Sequence, residues 1–161
     1  MTEKVKLCLW FDGQAEEAAT FYTSLLPDSR IDGVHRSPSD YPAGKAGDVL
    51  TVEFTLAGRS YVGLNGGAGH PLTDALSLQV DCDDQAEVDR LWDALLANGG
   101  QPVACGWITD RWGLSWQIAP RALIQMITSS DRAAAARAMA AMMTMVKIDL
   151  STIEKAFAGE G

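Results

Sequence analysis

Histidine and cysteine are scarce in this chain of 161 residues, at two and three, and Lys plus Arg (13) fall well short of Asp plus Glu (21). Each shortage closes a class of function. His35 and His70 fall in a weak strand and a loop and read as solvent-facing, so neither a Ser-His-Asp nor a Cys-His arrangement can be assembled. Cys8, Cys82 and Cys105 are widely spaced, odd in number and without a paired metal-ligand spacing. They read as buried free thiols of a reducing compartment, which predicts a cytoplasmic protein. A net charge of -8 argues against nucleic acid, because binding phosphates needs a basic surplus. No run approaches membrane-spanning length, and the start lacks the basic, apolar, small order of a secretory signal. No nucleic-acid and no membrane partner is expected.

The chain is instead generous with tryptophan over one short stretch, Cys105 to Pro120. Two β-type runs, Val103 to Thr109 and Leu114 to Ala119, flank Asp110-Arg111-Trp112-Gly113, and Asp early with Gly late is tight-hairpin chemistry. Trp107, Trp112 and Trp116 load that hairpin with apolar area. In its second run Leu114, Trp116 and Ile118 alternate with Ser115 and Gln117, so one face is greasy and the other meets water or a polar cavity.

Before the hairpin the order of elements repeats. Val5 to Phe11 is an apolar run of strand length, stopped by Asp12-Gly13. Ala15, Ala18, Ala19, Tyr22 and Leu25-Leu26 then recur at helical steps, with Glu16 and Glu17 in the first turn and Pro27 at the end. Arg30 to Arg36 is a weak strand, Ser37 to Asp48 a Pro- and Gly-containing loop, Val49 to Ala57 a strongly alternating strand, Gly58-Arg59 a turn, and Ser60 to Leu64 the return. After the Gly-rich connector Asn65 to Asp74, Leu76 to Cys82 is a strand. Asp83 to Ala97 is a helix with Asp83 or Asp84 as N-cap and Asn98-Gly99-Gly100 as its stop, and short strands follow to Ala119.

A βαβββ unit therefore occurs twice, and one helix per unit leaves one sheet face in need of a partner. The expected fold is α+β: two such modules, residues 1–65 and 66–130, forming an open, cupped sheet with a central cleft, followed by C-terminal helices over 131–161 within one structural domain. In that tail Met139, Met142, Met143 and Val146 share a helical stripe, read as a docking face on the chain's own module or a second subunit, and a homodimer is expected. Ser151 with Glu154 three residues on has the capping-box pattern.

These residues carry a resemblance. The repeat, the run Leu9 to Ala18 with Phe21-Tyr22, the run Val80 to Trp92, the Cys105 to Ile118 hairpin and Lys147-Ile148-Asp149 resemble the glyoxalase/bleomycin-resistance, or vicinal oxygen chelate, superfamily. More narrowly they resemble its PhnB-like branch, whose members are described as demethylubiquinone methyltransferase-like. The resemblance implies one metal ligand on each of four strands, His or Gln on the first strand of each module and Glu on the last. The matching positions lie near Lys6, Asn65, Ser77 and Gln117, or, with the alignment slipped, at Cys8, Glu53 or Asp81. Neither a zinc set nor a two-His-one-carboxylate iron set can be built from these. Methyl transfer fares no better, because the Gly-rich stretch Asn65 to Gly69 runs into His70-Pro71 rather than a helix and reads as a turn between modules.

If helices cover Leu9/Phe11, Val62/Leu64, Leu78/Val80 and Trp116/Ile118, the alternate residues line the cleft. The ligand-binding candidates are Cys8, Trp10, Glu53, Tyr61, Asn65, Ser77, Gln79, Trp107, Ser115 and Gln117, with Lys6, Thr51, Thr55 and Asp81 on the same wall. Trp10 and Trp107 are stacking platforms for a planar or cationic guest, or plugs of the cup. Glu53 is the candidate general base if partial desolvation raises its pKa, against a simple pair with Lys6 or Arg59. Cys8 is a nucleophile only if Lys6 lowers its pKa, and otherwise an inert thiol. The expected function is metal-independent binding of a small aromatic or apolar molecule, with no cofactor. The alternatives are a metal-dependent lyase, isomerase or dioxygenase, and, least favoured, a methyltransferase.

Overall fold

The structure, a computed structural model, describes residues 3–161. The chain divides into two compact units, Met1–Leu72 and Thr73–Gly161. In the first unit β1 (Leu7–Phe11), α1 (Ala15–Leu25), β2 (Arg30–Arg36), β3 (Val49–Leu56) and β4 (Arg59–Asn65) follow in order. They build a four-stranded sheet of order β1-β4-β3-β2, with β1 parallel to β4 and the other neighbours antiparallel. A parallel pair needs a crossover, and α1 with the two intervening strands supplies it.

α1 buries Ala15, Ala18, Ala19, Tyr22 and Leu25, the face its spacing demands. It covers the sheet face that carries Leu9, Phe11, Val52 and Phe54, all buried, with the Tyr22 and Phe54 rings 6.3 Å apart. β3 and β4 turn over Ala57 and Gly58, at φ 47° and 78°, and Leu56 pairs with Arg59. A two-residue turn with both φ positive matches the twist of a hairpin, so the turn sits one residue earlier than Gly58-Arg59. The 37–48 loop is braced by its own acids: Asp40 accepts from the Ala46 amide at 3.0 Å and Asp48 from the Lys45 amide at 2.8 Å.

The second unit repeats the connectivity with β5 (Ser77–Cys82), α2 (Gln85–Ala97), β6 (Gln101–Pro102), β7 (Trp107–Thr109) and β8 (Ser115–Pro120), in sheet order β5-β8-β7-β6. Asp84 caps α2 by accepting from the Glu87 amide at 2.9 Å, and Glu87 returns the bond to the Asp83 amide at 2.7 Å. α2 turns Val88, Leu91, Trp92 and Leu95 into a core with Ile108, Leu114, Trp116 and Ile118, all buried. Each such side chain contributes roughly 1.5–3 kcal/mol of burial free energy.

The tail packs within this second unit. It comprises α3 (Arg121–Ile127), α4 (Arg132–Met142) and α5 (Leu150–Ala158), and Leu123, Ala138, Ile148 and Ile153 form a buried cluster that Met126, Met142 and Met145 complete. The methionine stripe is thus divided: Met142 packs inward, while Met139, Met143 and Val146 stay exposed. The capping-box reading at Ser151 is corrected. α5 begins at Leu150 and Asp149 is its cap, accepting from the Thr152 amide at 3.0 Å, because a carboxylate two positions upstream of Ser151 outcompetes the hydroxyl. None of the described helices is long and apolar enough to cross a membrane.

Candidate functional site

In each module the sheet face turned away from the helix presents the polar residues, and strand register decides which they are. On the first sheet Cys8 pairs with Val62, Trp10 with Leu64, Glu53 with Val62 and His35 with Thr51, so all of these share the open face. Leu7 pairs with Tyr61, Leu9 with Gly63 and Phe11 with Asn65 on the opposite face. Gly63 fixes the sides: a Cβ there would stand 3.1 Å from the Ala15 methyl of α1. Tyr61 and Asn65 therefore lie on the helix side, and their placement on the polar wall is corrected. The alternation of β4 was misread by one residue, because Gly63, not Val62 or Leu64, is what lets the helix approach.

Both displaced residues have structural work. Tyr61 stacks on Phe54 with ring centroids 5.3 Å apart, and burial pushes its phenol pKa up. Asn65, buried, accepts from the Ala15 amide at 2.9 Å and donates to the Val49 carbonyl at 2.9 Å. Gln14, at the N-cap position, offers α1 no side-chain bond, so β4 caps the helix from across the fold.

Glu53 is held between two partners. Lys6 Nζ donates to Oε1 at 3.0 Å, and Oε2 lies 3.2 Å from His35 Nε2. These two, Lys6 foremost, hold its carboxyl below the ordinary carboxylate value, which corrects the expectation of a raised pKa. His35 reaches Glu53 because Gly33 lies directly across from it, and a Cβ at Gly33 would come within 2.9 Å of the imidazole. Cys8 is exposed, and Cys105 half-buried, so only Cys82 fits the buried-thiol reading. Partial desolvation by its neighbours pushes the Cys8 thiol up and the Lys6 ammonium is directed to Glu53, the opposite of an activated nucleophile.

Trp10 is covered by the Gly-rich connector. Its Nε1 donates to the Gly67 carbonyl at 2.8 Å, and its ring lies 4.4 Å from the His70 ring, tilted by 40°. Gly66 lies against the indole so closely that a Cβ would stand 2.2 Å from Cζ2. The Gly66 and Gly67 amides both donate to the Phe11 carbonyl, so the stretch is a fitted cover, and no helix follows it to make a nucleotide-type turn. Both histidines are exposed as expected, but each has a partner that sequence reasoning missed; the signal available was Gly33 two residues before His35.

On the second sheet the reading of the alternation holds. Ser77 pairs with Ser115, Gln79 with Gln117, and Trp107 with Gln117, all on the face away from α2. Gln117 Nε2 donates to Ser77 Oγ at 2.9 Å, and Gln79 donates to Asp81 at 2.9 Å. Ser115 is buried, Trp107 and Gln117 half-buried, and Gln79 and Asp81 exposed. Below this face the hairpin is fastened by Asp110: its Oδ1 accepts from the Trp112 and Leu114 amides at 2.9 and 3.0 Å, and Oδ2 from Trp116 Nε1 at 3.0 Å.

The superfamily's metal does not fit these side chains. The open-face residues of β4 are Val62 and Leu64, which have no donor atom, and β8 offers Ser115 and the amide of Gln117. Among the described residues no group of three or more His, Cys, Asp or Glu converges on a point that could hold an ion.

Comparison with known proteins places this geometry. A family model described as 3-demethylubiquinone-9 3-methyltransferase matches residues 3–119. A solved PhnB protein from Bacillus cereus is similar at 35% identity and TM-score 0.63, over 71% of this chain and 97% of that one. A solved Pseudomonas aeruginosa protein shares the fold at 21% identity and TM-score 0.57, over 71% of this chain and 95% of that one. No curated protein matches the chain. The chain thus belongs to the family described as 3-demethylubiquinone-9 3-methyltransferase, the PhnB-like family.

Proposed function

We propose that the chain binds a small molecule with an aromatic or apolar group, without a metal ion, and that the open face of the second module makes the contact. The observation that supports this most is the cross-strand pair of Trp107 and Gln117, with Gln117 tied to Ser77. A half-buried indole offers a flat apolar surface, and a neighbouring amide and hydroxyl whose orientation is fixed offer directional hydrogen bonds. Neutral groups of this kind bind by shape and hydrogen bonding and neither polarise a carbonyl nor lower the pKa of a water. Methyl transfer, which the family description suggests, has no support from the glycine-rich stretch, since it is occupied in covering Trp10.

The test is a fluorescence titration of protein dialysed against chelator, using a library of indoles, quinones and phenols. At least one compound is expected to give a saturable change in tryptophan emission, lost in Trp107→Phe and weakened in Gln117→Leu. Absence of any saturable response, or binding that returns only on adding Mn²⁺, Fe²⁺, Ni²⁺ or Zn²⁺, overturns the reading.

A further inference from the structure

At the β3–β4 turn end of the first sheet, residues of both its faces line a concavity of about 490 Å³. That lies within the roughly 300–1,000 Å³ typical of small-molecule pockets. Its lining belongs entirely to the first module and combines six charged residues with Phe54, Tyr61 and small or polar residues, unlike the neutral face of the second. Four carboxylates (Glu3, Asp28, Asp32 and Glu53) surround Lys6 and Arg30, and the raw count describes an acidic basin.

Hydrogen bonding changes that description. Both oxygens of Glu53 have partners, in Lys6 and His35. Both oxygens of Asp32 have partners too: Arg30 Nε lies 2.8 Å from one, and the Thr55 hydroxyl donates to the other at 2.6 Å. What these pairs leave over is donors. An ammonium carries three N–H groups, and Lys6 uses one on Glu53. A guanidinium carries five, and beyond its Nε contact Arg30 makes only a long approach of 3.8 Å to Asp28. On the acidic side, Glu3 gives one oxygen to the Ser60 amide at 3.1 Å and keeps the other, and the Asp28 carboxylate is largely exposed.

The basin thus offers cationic donors and anionic acceptors together. A simple anion would enter against four carboxylates, and a simple cation would find the two central carboxylates already neutralised and two cations beside them. A molecule with one charge of each sign suffers neither repulsion. We propose that this concavity binds a small zwitterion of the α-amino acid class, its carboxylate met by Lys6 and Arg30 and its ammonium by Glu3 and Asp28. The proposal stands on the first module alone and is independent of the indole and amide face of the second.

The test is isothermal titration of the full chain with each of the twenty common α-amino acids, followed by the methyl ester and N-acetyl derivative of any that binds. Binding of at least one amino acid at millimolar affinity or tighter is expected, with a loss of about tenfold or more for each derivative and for Arg30→Gln, as removal of one partner of a charge pair produces. Glu3→Gln is expected to weaken the amino acid more than its N-acetyl form, and the unfolding midpoint of both variants to match the native one. No heat from any of the twenty, equal affinity for the derivatives, or full affinity in Arg30→Gln overturns the proposal.

Discussion

Asp110 is the side chain whose removal the structure makes most informative. Its carboxylate is buried and receives three donors, the Trp112 and Leu114 amides and the Trp116 indole. Trp112 is half-buried, so water can replace part of that bond, whereas Leu114 and Trp116 are both 0% exposed. In Asp110→Ala two donors are left without a partner in a dry site, at roughly 1–3 kcal/mol each. The expected loss is about 3–5 kcal/mol, a large part of the roughly 5–15 kcal/mol that holds a domain together. Asp110→Asn separates the two oxygens: its carbonyl can still serve both amides, but its NH₂ then faces the indole N–H. That variant is expected to lose about 1–3 kcal/mol.

A double-mutant cycle isolates the indole bond. Trp116→Phe removes the opposing donor, so Asp110→Asn in that background is expected to cost less than in the native chain, by about 1–2 kcal/mol. The assay is urea denaturation followed by far-ultraviolet circular dichroism, with hydrogen exchange of the Leu114 amide as a local readout. A loss below about 1 kcal/mol for Asp110→Ala, or strict additivity of the Asn and Phe changes, refutes the assignment of Asp110 as the fastener of the hairpin.

Asn65→Leu should remove the external cap of α1 and leave the Ala15 amide and the Val49 carbonyl unsatisfied, costing about 1–3 kcal/mol and speeding exchange in the first turn of α1; unchanged exchange there would contradict the capping role. Gly66→Ala has no room beside the Trp10 ring, so it should displace the indole and alter its fluorescence at a cost of about 1–3 kcal/mol, and unchanged emission would contradict the fitted cover. The Cys82 thiol is pushed up to about 12 by burial, from an ordinary 9.0. Its contribution to stability is complete below 9.0 and is lost as pH rises from there through about 12, because the unfolded chain releases the proton first. Cys82→Ala should therefore flatten the alkaline fall in urea midpoint, and a thiol reagent should label Cys8 in the native protein well before Cys82.

What could be read from the sequence was whatever depends on local periodicity. The alternation of β3 and β8, the helical spacing of α1 and α2, and the acid-before-glycine turn at Asp110 each carry their own pattern, and the doubled βαβββ order follows from them. β4 failed for a physical reason. Its sequence, Arg-Ser-Tyr-Val-Gly-Leu-Asn, puts apolar side chains on both faces, and the face that accepts α1 is chosen by a glycine that shows no hydrophobicity at all. Tyr61 and Asn65 were misplaced together as a result. The partners of Glu53, Trp10 and His35 were illegible for a different reason: they come from residues 47, 57 or 18 positions away, and only strand register brings them together.

The family match ends at residue 119, yet the tail beyond it determines how the candidate face of the second module is held. The Cys105 and Gly106 amides, immediately before Trp107, each donate at 2.8 Å to the carbonyls of Met145 and Val146. Gly106 has no room for a side chain, because a Cβ would meet the Ile118 carbonyl at 2.9 Å and Ile148 at 3.0 Å. Gln85, in the first turn of α2, takes the next stretch with both ends of its amide: Nε2 donates to the Ile148 carbonyl at 3.0 Å and Oε1 accepts from the Leu150 amide at 2.8 Å. Lys147 adds a 2.6 Å pair to Asp89, whose carboxyl is held below its ordinary value chiefly by that bond. β8 pairs with Trp107 along one side, and the tail grips the segment leading into it from the other. An indole on a three-residue strand is held from both sides by these supports, so in this chain the tail belongs to the architecture of the candidate face rather than to its periphery.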